Sequence, residues 1–250
     1  MTVSRHLRQR GARVAVLLAA GVVLVGCAGP PDASTPPTGG IPAPATSAPA
    51  TTRSTSAPPG APPAPAAGTV EPITAADLGA SWHPGCPVGP RLLRRVHVEH
   101  LGTDGQTHRG LLIVHEEAVA DIVAIFDRLY RLGFPIAKIR PAADYPGAED
   151  ELSMQDNNTS AFNCRGIPGS DNWSLHAYGR AVDLNPLVNP CVYASGYVEP
   201  RTGTPYLDRS RVDPGLLHTD DPAIGVFTDL GWRWGGSWHN PIDYQHFERP

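Results

Sequence analysis

The clearest periodicity in the chain runs from Glu116 to Leu132, where Val119, Ile122, Val123, Phe126, Leu129 and Tyr130 recur at three- and four-residue steps. That spacing places them on one face of an α-helix, and Gly133 with Pro135 ends the repeat. Upstream, Val96 and Val98 alternate with Arg95, His97 and Glu99, a period of two that predicts a strand with one buried face. Thr103-Asp104-Gly105-Gln106 reads as a turn and Leu111 to Val114 resumes an apolar run, so a hairpin should precede the helix. Phe134 to Ile139 reads as a short strand ending in Arg140-Pro141, and the stretch from Ala142 to Trp173 is polar and irregular. Ala181, Val182 and Leu184 mark a buried strand that carries Asp183, Asp221-Pro222 starts a second helix running toward Leu230, and a last strand lies near Tyr244 to Phe247. Helices and strands mix without regular βαβ alternation or internal repeat, which predicts an α+β domain.

The first 70 residues follow other rules. Arg5, Arg8, Arg10 and Arg13, with no acidic residue among them, precede the apolar run Val14 to Val25, whose twelve residues suit a signal-peptide core. A spanning helix needs about 20 residues. The run ends in Leu24-Val25-Gly26-Cys27, which resembles a bacterial lipobox, so residues 1–26 read as a lipoprotein signal peptide and Cys27 as the lipidated thiol. From 28 to 70 every position except Asp32, Ile41, Arg53 and Val70 is Pro, Ala, Gly, Ser or Thr. No packed core comes from that composition, so 27–70 reads as a disordered tether and 71–250 as one folded domain. The expected location is outside the cell membrane, held by a lipid anchor and facing the cell wall.

Charge narrows the partners. The 250-residue chain has 20 Lys+Arg against 24 Asp+Glu, a formal −4, and removal of four arginines with residues 1–26 takes it to −8. Nucleic acid is thereby excluded as an expected partner. Lys138 is the sole lysine, and with so much Ala, Pro and Gly this points to a GC-rich bacterial genome. After acylation of Cys27, the cysteines are Cys86, Cys164 and Cys191, enough for one disulfide in an oxidising compartment, and their spacing leaves the pairing open.

Two polar clusters stand in apolar surroundings. In Ser174-Leu175-His176-Ala177-Tyr178-Gly179-Arg180-Ala181-Val182-Asp183, the strand period puts Ala181 and Asp183 on one face, and Gly179 permits a turn that returns His176 toward it. Asp243-Tyr244-Gln245-His246-Phe247-Glu248 supplies a second imidazole and a second carboxylate. Two imidazoles and one carboxylate form a three-ligand set for zinc that keeps a position open for water. His239 is the competing ligand, set beside Asn240-Pro241 in an expected loop, and His246 is preferred. His83, His97, His100, His108, His115 and His218 read as hydrogen-bonded structural histidines. Ser174 has no base spaced for a serine triad, which leaves it to orient a substrate or ligand, or to act as a turn hydroxyl.

The motif Ser-x-His-x-x-Gly-x-Ala-x-Asp at 174–183, joined to Asp-x-x-His-Phe at 243–247, resembles the zinc D-alanyl-D-alanine carboxypeptidases of the VanY type, with related dipeptidases and cell-wall endopeptidases. The segment Asn157 to Arg165 and the run Gly231 to Trp238 are similar to an actinobacterial lipoprotein branch of that family. The resemblance implies a hedgehog/DD-peptidase-like single domain with a mixed or antiparallel sheet and flanking helices. It also implies that His176, Asp183 and His246 hold zinc and that Asp243 is the general base. An arginine should steady the developing oxyanion, with Arg140 as the match and Arg165 as its rival, and Ser174 and Arg165 should meet the substrate. The resemblance further implies a Cys86–Cys164 disulfide. The implied substrate is a peptidoglycan stem peptide, hydrolysed as by a D,D-carboxypeptidase or, alternatively, by an endopeptidase of the same fold. A zinc-containing binding module without catalysis and a structural surface lipoprotein are the readings from other classes; Asp243 speaks against the first, and metal content separates the second.

Overall fold

The computed structural model describes residues 68–250. The expected signal peptide, Cys27 and most of the expected tether lie outside the described residues. At the near end of that tether, Val70 pairs with Val96: strand β1 (Val70–Pro72) lies antiparallel to β2 (Leu93–Leu101), which pairs in turn with β3 (Thr107–His115). Backbone pairing requires no apolar pattern, which is why Val70 reads as tether from composition. A short helix α1 (Ala75–Leu78) follows β1, opened by a capping box between Thr74 and Asp77.

The hairpin β2–β3 forms as its pattern predicts, and both of its faces are covered. Val96, Val98, Leu112 and Val114 face the main core with Ile122, Phe126 and Leu129 of helix α2 (Val119–Leu132), whereas Leu93 and Ile113 pack with Leu78 and Phe162 on the other side. Double coverage explains the unbroken apolar run at the end of β3. The predicted helix begins with a 3₁₀ turn, Glu116–Ala118, and ends at Gly133 in the left-handed conformation, φ +74.

Beyond α2 the elements are short. The strand predicted from Phe134 to Ile139 reduces to β4 (Lys138–Ile139), paired in parallel with β5 (Asn158–Thr159), because before it Pro135 makes only an isolated bridge to Leu101 and the Ala137 N–H donates to the Asn185 side chain instead of a strand. A helix that the sequence pattern does not predict, α3 (Asp150–Gln155), interrupts the irregular stretch between them. Strand β6 (Ala181–Asp183) follows, then β7 (Cys191–Val192) and β8 (Val198–Glu199). Helix α4 (Pro222–Thr228) is capped by Asp221, whose side chain accepts from the Ala223 N–H. The final strand is split: after β9 (Arg233–Trp234) come β10 (Ile242–Asp243), paired with β7, and β11 (His246–Glu248), paired with both β6 and β9. Tyr244 and Gln245 carry the chain from one small sheet to the other.

These helices and several small, mostly antiparallel sheets make an α+β fold. Val182 of β6 and Phe247 of β11 belong to the main core, with Phe247 stacked on Phe227 of α4 at 3.9 Å between ring centroids. Burying side chains of this size stabilises by about 1.5–3 kcal/mol each. The polar faces of β6 and β11 are thus carried on strands whose opposite faces are locked in the core. No helix among the described residues is long and apolar enough to cross a membrane.

Candidate metal centre

Ser174 opens a 3₁₀ turn, Leu175–Tyr178, with its Oγ accepting from the His176 N–H, and Gly179 closes it at φ +67. A Cβ on Gly179 would stand 2.5 Å from the His115 backbone nitrogen, so glycine is required both by conformation and by the close approach of β3. The turn sets His176 against β6. There, Asp183 and His246 are directly opposed across the antiparallel β6–β11 pair. Gly235 lets the tryptophan-glycine segment pass close by, since a Cβ would lie 2.7 Å from the Asp243 carbonyl oxygen.

The three side chains are buried, and their ligand atoms lie within 4.8 Å of one another. His176 Nε2 is 3.1 Å from Asp183 Oδ2, and His246 Nδ1 is 3.0 Å from Asp183 Oδ1. The outer nitrogens fix the tautomers. His176 Nδ1 donates to the Ala161 carbonyl at 2.5 Å, and His246 Nε2 donates to Glu248 Oε2 at 3.2 Å. A neutral ring at either position therefore turns a lone pair inward, and the two inward nitrogens are only 3.2 Å apart. Facing lone pairs repel unless a positive charge lies near both.

The surrounding charges favour such a cation. Burial alone would raise the Asp183 carboxyl, but the His176 and His246 imidazoles outweigh it and hold Asp183 well below the usual carboxylate range. Burial likewise pulls His246 down, while hydrogen bonds to Asp183 and Glu248 raise it to about 10. The cage stabilises positive charge between its members, and two imidazoles, one carboxylate and anchored outer nitrogens fit zinc. A second group of possible ligands, His83 with Cys86 and Cys164, is ruled out as a thiolate site by the Cys86–Cys164 disulfide itself.

Asp243 sits on β10 opposite Cys191 of β7, one short link before β11. Burial raises its carboxyl to about 6; the His246 charge draws it back and the Asp183 charge pushes it further up. Its Oδ1 is buried without a hydrogen-bond partner. Arg165 arrives from the loop before the turn: its Nε is 2.6 Å from Asp150 Oδ2 and its Nη2 3.9 Å from Asp183 Oδ2. Burial would lower its pKa, but Asp150, Asp183 and Asp243 more than compensate and keep the guanidinium charged.

The structure gathers most of the residues named from the sequence. His176, Asp183 and His246 form the cluster, and Asp243, Arg165 and Ser174 line a cleft of about 510 Å³ that opens beside it with Trp173 and Trp238. Arg140 is not among them. It is exposed, its charge acts on Tyr145 and Asp156, and it lines neither of the two clefts at the cluster, because β4 ends on the far side of β5 from β6. His239 is exposed and outside the cluster. Cys86 and Cys164 form a disulfide, and Cys191 is a buried free thiol. Glu248 was not singled out from the sequence, although its place two residues after His246 puts both on one strand face.

Residues 168–249 match the family model described as D-alanyl-D-alanine carboxypeptidase. No curated protein and no solved structure matches the chain. The matched stretch spans less than half of the chain and includes His176, Asp183, Asp243 and His246, so the whole cluster lies within what is similar to that peptidase family.

Proposed function

We propose that the chain is a zinc-dependent peptidase of the VanY type, on a hedgehog/DD-peptidase-like fold, that hydrolyses peptidoglycan stem peptides as a D-alanyl-D-alanine carboxypeptidase. The observation that carries this reading is the convergence of two tautomer-fixed imidazoles and one carboxylate beside a half-buried Asp243 whose Oδ1 is enclosed without a hydrogen-bond partner. Zinc held by His176, Asp183 and His246 would supply Lewis-acid polarisation of a peptide carbonyl and a more acidic attacking water. Asp243, raised to about 6, accepts the proton of that water and returns it to the leaving amine. Arg165 faces the developing oxyanion, the role the family resemblance left between it and Arg140. Ser174 holds the His176 turn in place through its hydrogen bond to the His176 N–H.

One observation favours the endopeptidase alternative. Two clefts meet at Arg165, Pro168, Tyr193 and Asp243, so a chain longer than a terminal dipeptide has room on either side of the base. Anchoring through lipidated Cys27, with the domain facing the cell wall, places the enzyme where such substrates occur.

The test is incubation of the purified protein with defined muropeptides, with products read by mass spectrometry and metal by elemental analysis. Release of terminal D-alanine supports the carboxypeptidase, and an internal cut supports the endopeptidase. Asp243→Asn should keep its zinc while turnover falls by about 10² to 10⁴-fold, the usual contribution of a positioned acid/base. Absence of both metal and hydrolysis in the wild type sinks the peptidase reading.

A further inference from the structure

The second cleft beside the cluster, about 300 Å³, is strongly acidic. Glu149, Asp150, Glu151, Asp183, Glu199 and Asp243 line it against the single guanidinium of Arg165. Asp150 is spent on Arg165, and Asp183 and Asp243 belong to the metal centre and its base. Glu149, Glu151 and Glu199 are left, and among the described residues none has an ion-pair partner. Their neighbours fix without neutralising: Glu151 Oε1 accepts from the Arg201 backbone N–H at 3.0 Å and from Gln155 Nε2 at 2.8 Å, and Glu199 Oε2 accepts from the Tyr193 hydroxyl at 2.8 Å. The Arg201 guanidinium is turned onto the Tyr197 ring, 4.5 Å from its centroid.

An independent feature of the cleft asks for a hydrogen-bond donor. Gln245, which lines it, is only 2% exposed, and its Oε1 has no hydrogen-bond partner. Asp243 Oδ1, in the same cleft, is also buried and unpartnered. A buried acceptor left unsatisfied costs about 1–3 kcal/mol, so such atoms are held for a ligand that donates. Unpaired carboxylates, an orphan amide oxygen and the ring of Tyr193 together suit a cation with N–H groups. A terminal carboxylate would be repelled by the same surface.

We propose that this cleft is a substrate subsite for an ammonium group carried by the peptide, either the amino group of a diamino-acid side chain or a free α-amino terminus. The proposal deepens, and rests on, the peptidase reading above. It assigns Glu151 and Glu199 to recognition of the amine and Gln245 to its second hydrogen bond.

The probes are three forms of L-lysyl-D-alanyl-D-alanine: acetylated on both amines, on the α-amine alone, and on the side-chain amine alone. Dissociation constants are read from tryptophan fluorescence, because Trp173 and Trp238 line the adjoining cleft, and kcat/KM from product release. At low salt, wild type should favour at least one free-amine form over the doubly acetylated peptide by about tenfold or more, of the order a desolvated charge pair supplies. Which singly acetylated peptide keeps that preference identifies the amine. The double variant Glu151→Gln/Glu199→Gln retains acceptors for Arg201 and Tyr193, and in it the ratio should fall toward one, chiefly through Kd and KM. Equal affinity of wild type for all three peptides overturns the subsite, as does an undiminished preference in the double variant with an unchanged melting temperature. Amine-dependent binding without release of D-alanine upholds the subsite and overturns the carboxypeptidase reading instead.

Discussion

Arg165 and Arg140 show how much a single side chain depends on where the fold delivers it. Arg140 follows the apolar run that reads as a strand, yet it is exposed beside Tyr145 and Asp156; Arg165 comes from the irregular stretch and reaches within 3.9 Å of Asp183. Removing one preorganised donor from an oxyanion site lowers turnover by about 10² to 10³-fold. Arg165→Ala should lose activity on that scale in a muropeptide assay while keeping its zinc, and Arg140→Ala should stay close to wild type. The reverse order would return the role to Arg140. The proposed ligands were legible in the sequence because a turn glycine and a strand period relate His176 to Asp183 locally, whereas His246 meets them only through the pairing of its strand with β6. Arg165 was legible only as a rival, since its position depends on Asn163 bonding Ala148 and on Cys164 bonding Ser81, contacts between distant parts of the chain.

Among the elements, β2, β3, α2, β6, α4 and β11, which carry an apolar pattern or a cap signal, were readable, and the two-residue β5, β7, β8, β9 and β10 and the helix α3 were not. Nine-residue strands and a fourteen-residue helix display their periods in full, whereas β4, β5, β7 and β10 have two residues each and show none. The split between β10 and β11 matters most for the site, because it puts Asp243 and His246 in different sheets. The turn that joins the hairpin to the site rests on Gly179. In Gly179→Ala the left-handed φ of +67 and a Cβ 2.5 Å from the His115 nitrogen both oppose the native backbone. Strain of this kind costs about 1–3 kcal/mol. The melting temperature should fall by several degrees, about 2–4 °C per kcal/mol for a domain of this size, and zinc affinity should weaken with it. A variant that melts and binds zinc like wild type would show that the turn tolerates a side chain.

The hairpin also carries an acid-sensitive group. His100 is buried, its Nδ1 lacks a partner, and its pKa is lowered to about 4, mainly by burial and further by cross-strand His108, with Asp104 opposing. The folded state thus keeps His100 neutral while the unfolded chain protonates it near pH 6.5. Between these values the unfolded state binds the extra proton, so stability is complete above about pH 6.5 and declines toward pH 4. His100→Phe removes the titration and keeps an aromatic ring on the strand. Urea midpoints measured from pH 7 to pH 4.5 should decline less steeply in this variant, and parallel declines would locate the acid sensitivity elsewhere.

At the scale of the whole molecule, the Cys86–Cys164 bridge ties the start of the folded region to the edge of the site across 78 residues of sequence. Cys164 is next to Arg165, and its N–H donates to Ser81 in the 3₁₀ turn that follows α1. The residues before the hairpin therefore act on the cleft without contributing a ligand to it. Closing a loop of this length removes conformational entropy from the unfolded chain and typically stabilises by about 2–5 kcal/mol. Cys86→Ser/Cys164→Ser should accordingly lower the melting temperature. It should also lower kcat/KM beyond what the melting shift implies, because the loop that aims Arg165 at Asp183 loses its covalent anchor and keeps only the Cys164 N–H bond to Ser81 and the Asn163 bond to Ala148. Metal content should change little, since His176, Asp183 and His246 are held by the core strands and by the Gly179 turn. The measurement is a set of three readings on one preparation assayed well below its melting temperature: melting temperature, zinc per chain, and hydrolysis. Loss of zinc together with activity would place the bridge under the metal cage itself, and unchanged hydrolysis would show that Asp150 and Asn163 suffice to hold Arg165 in place.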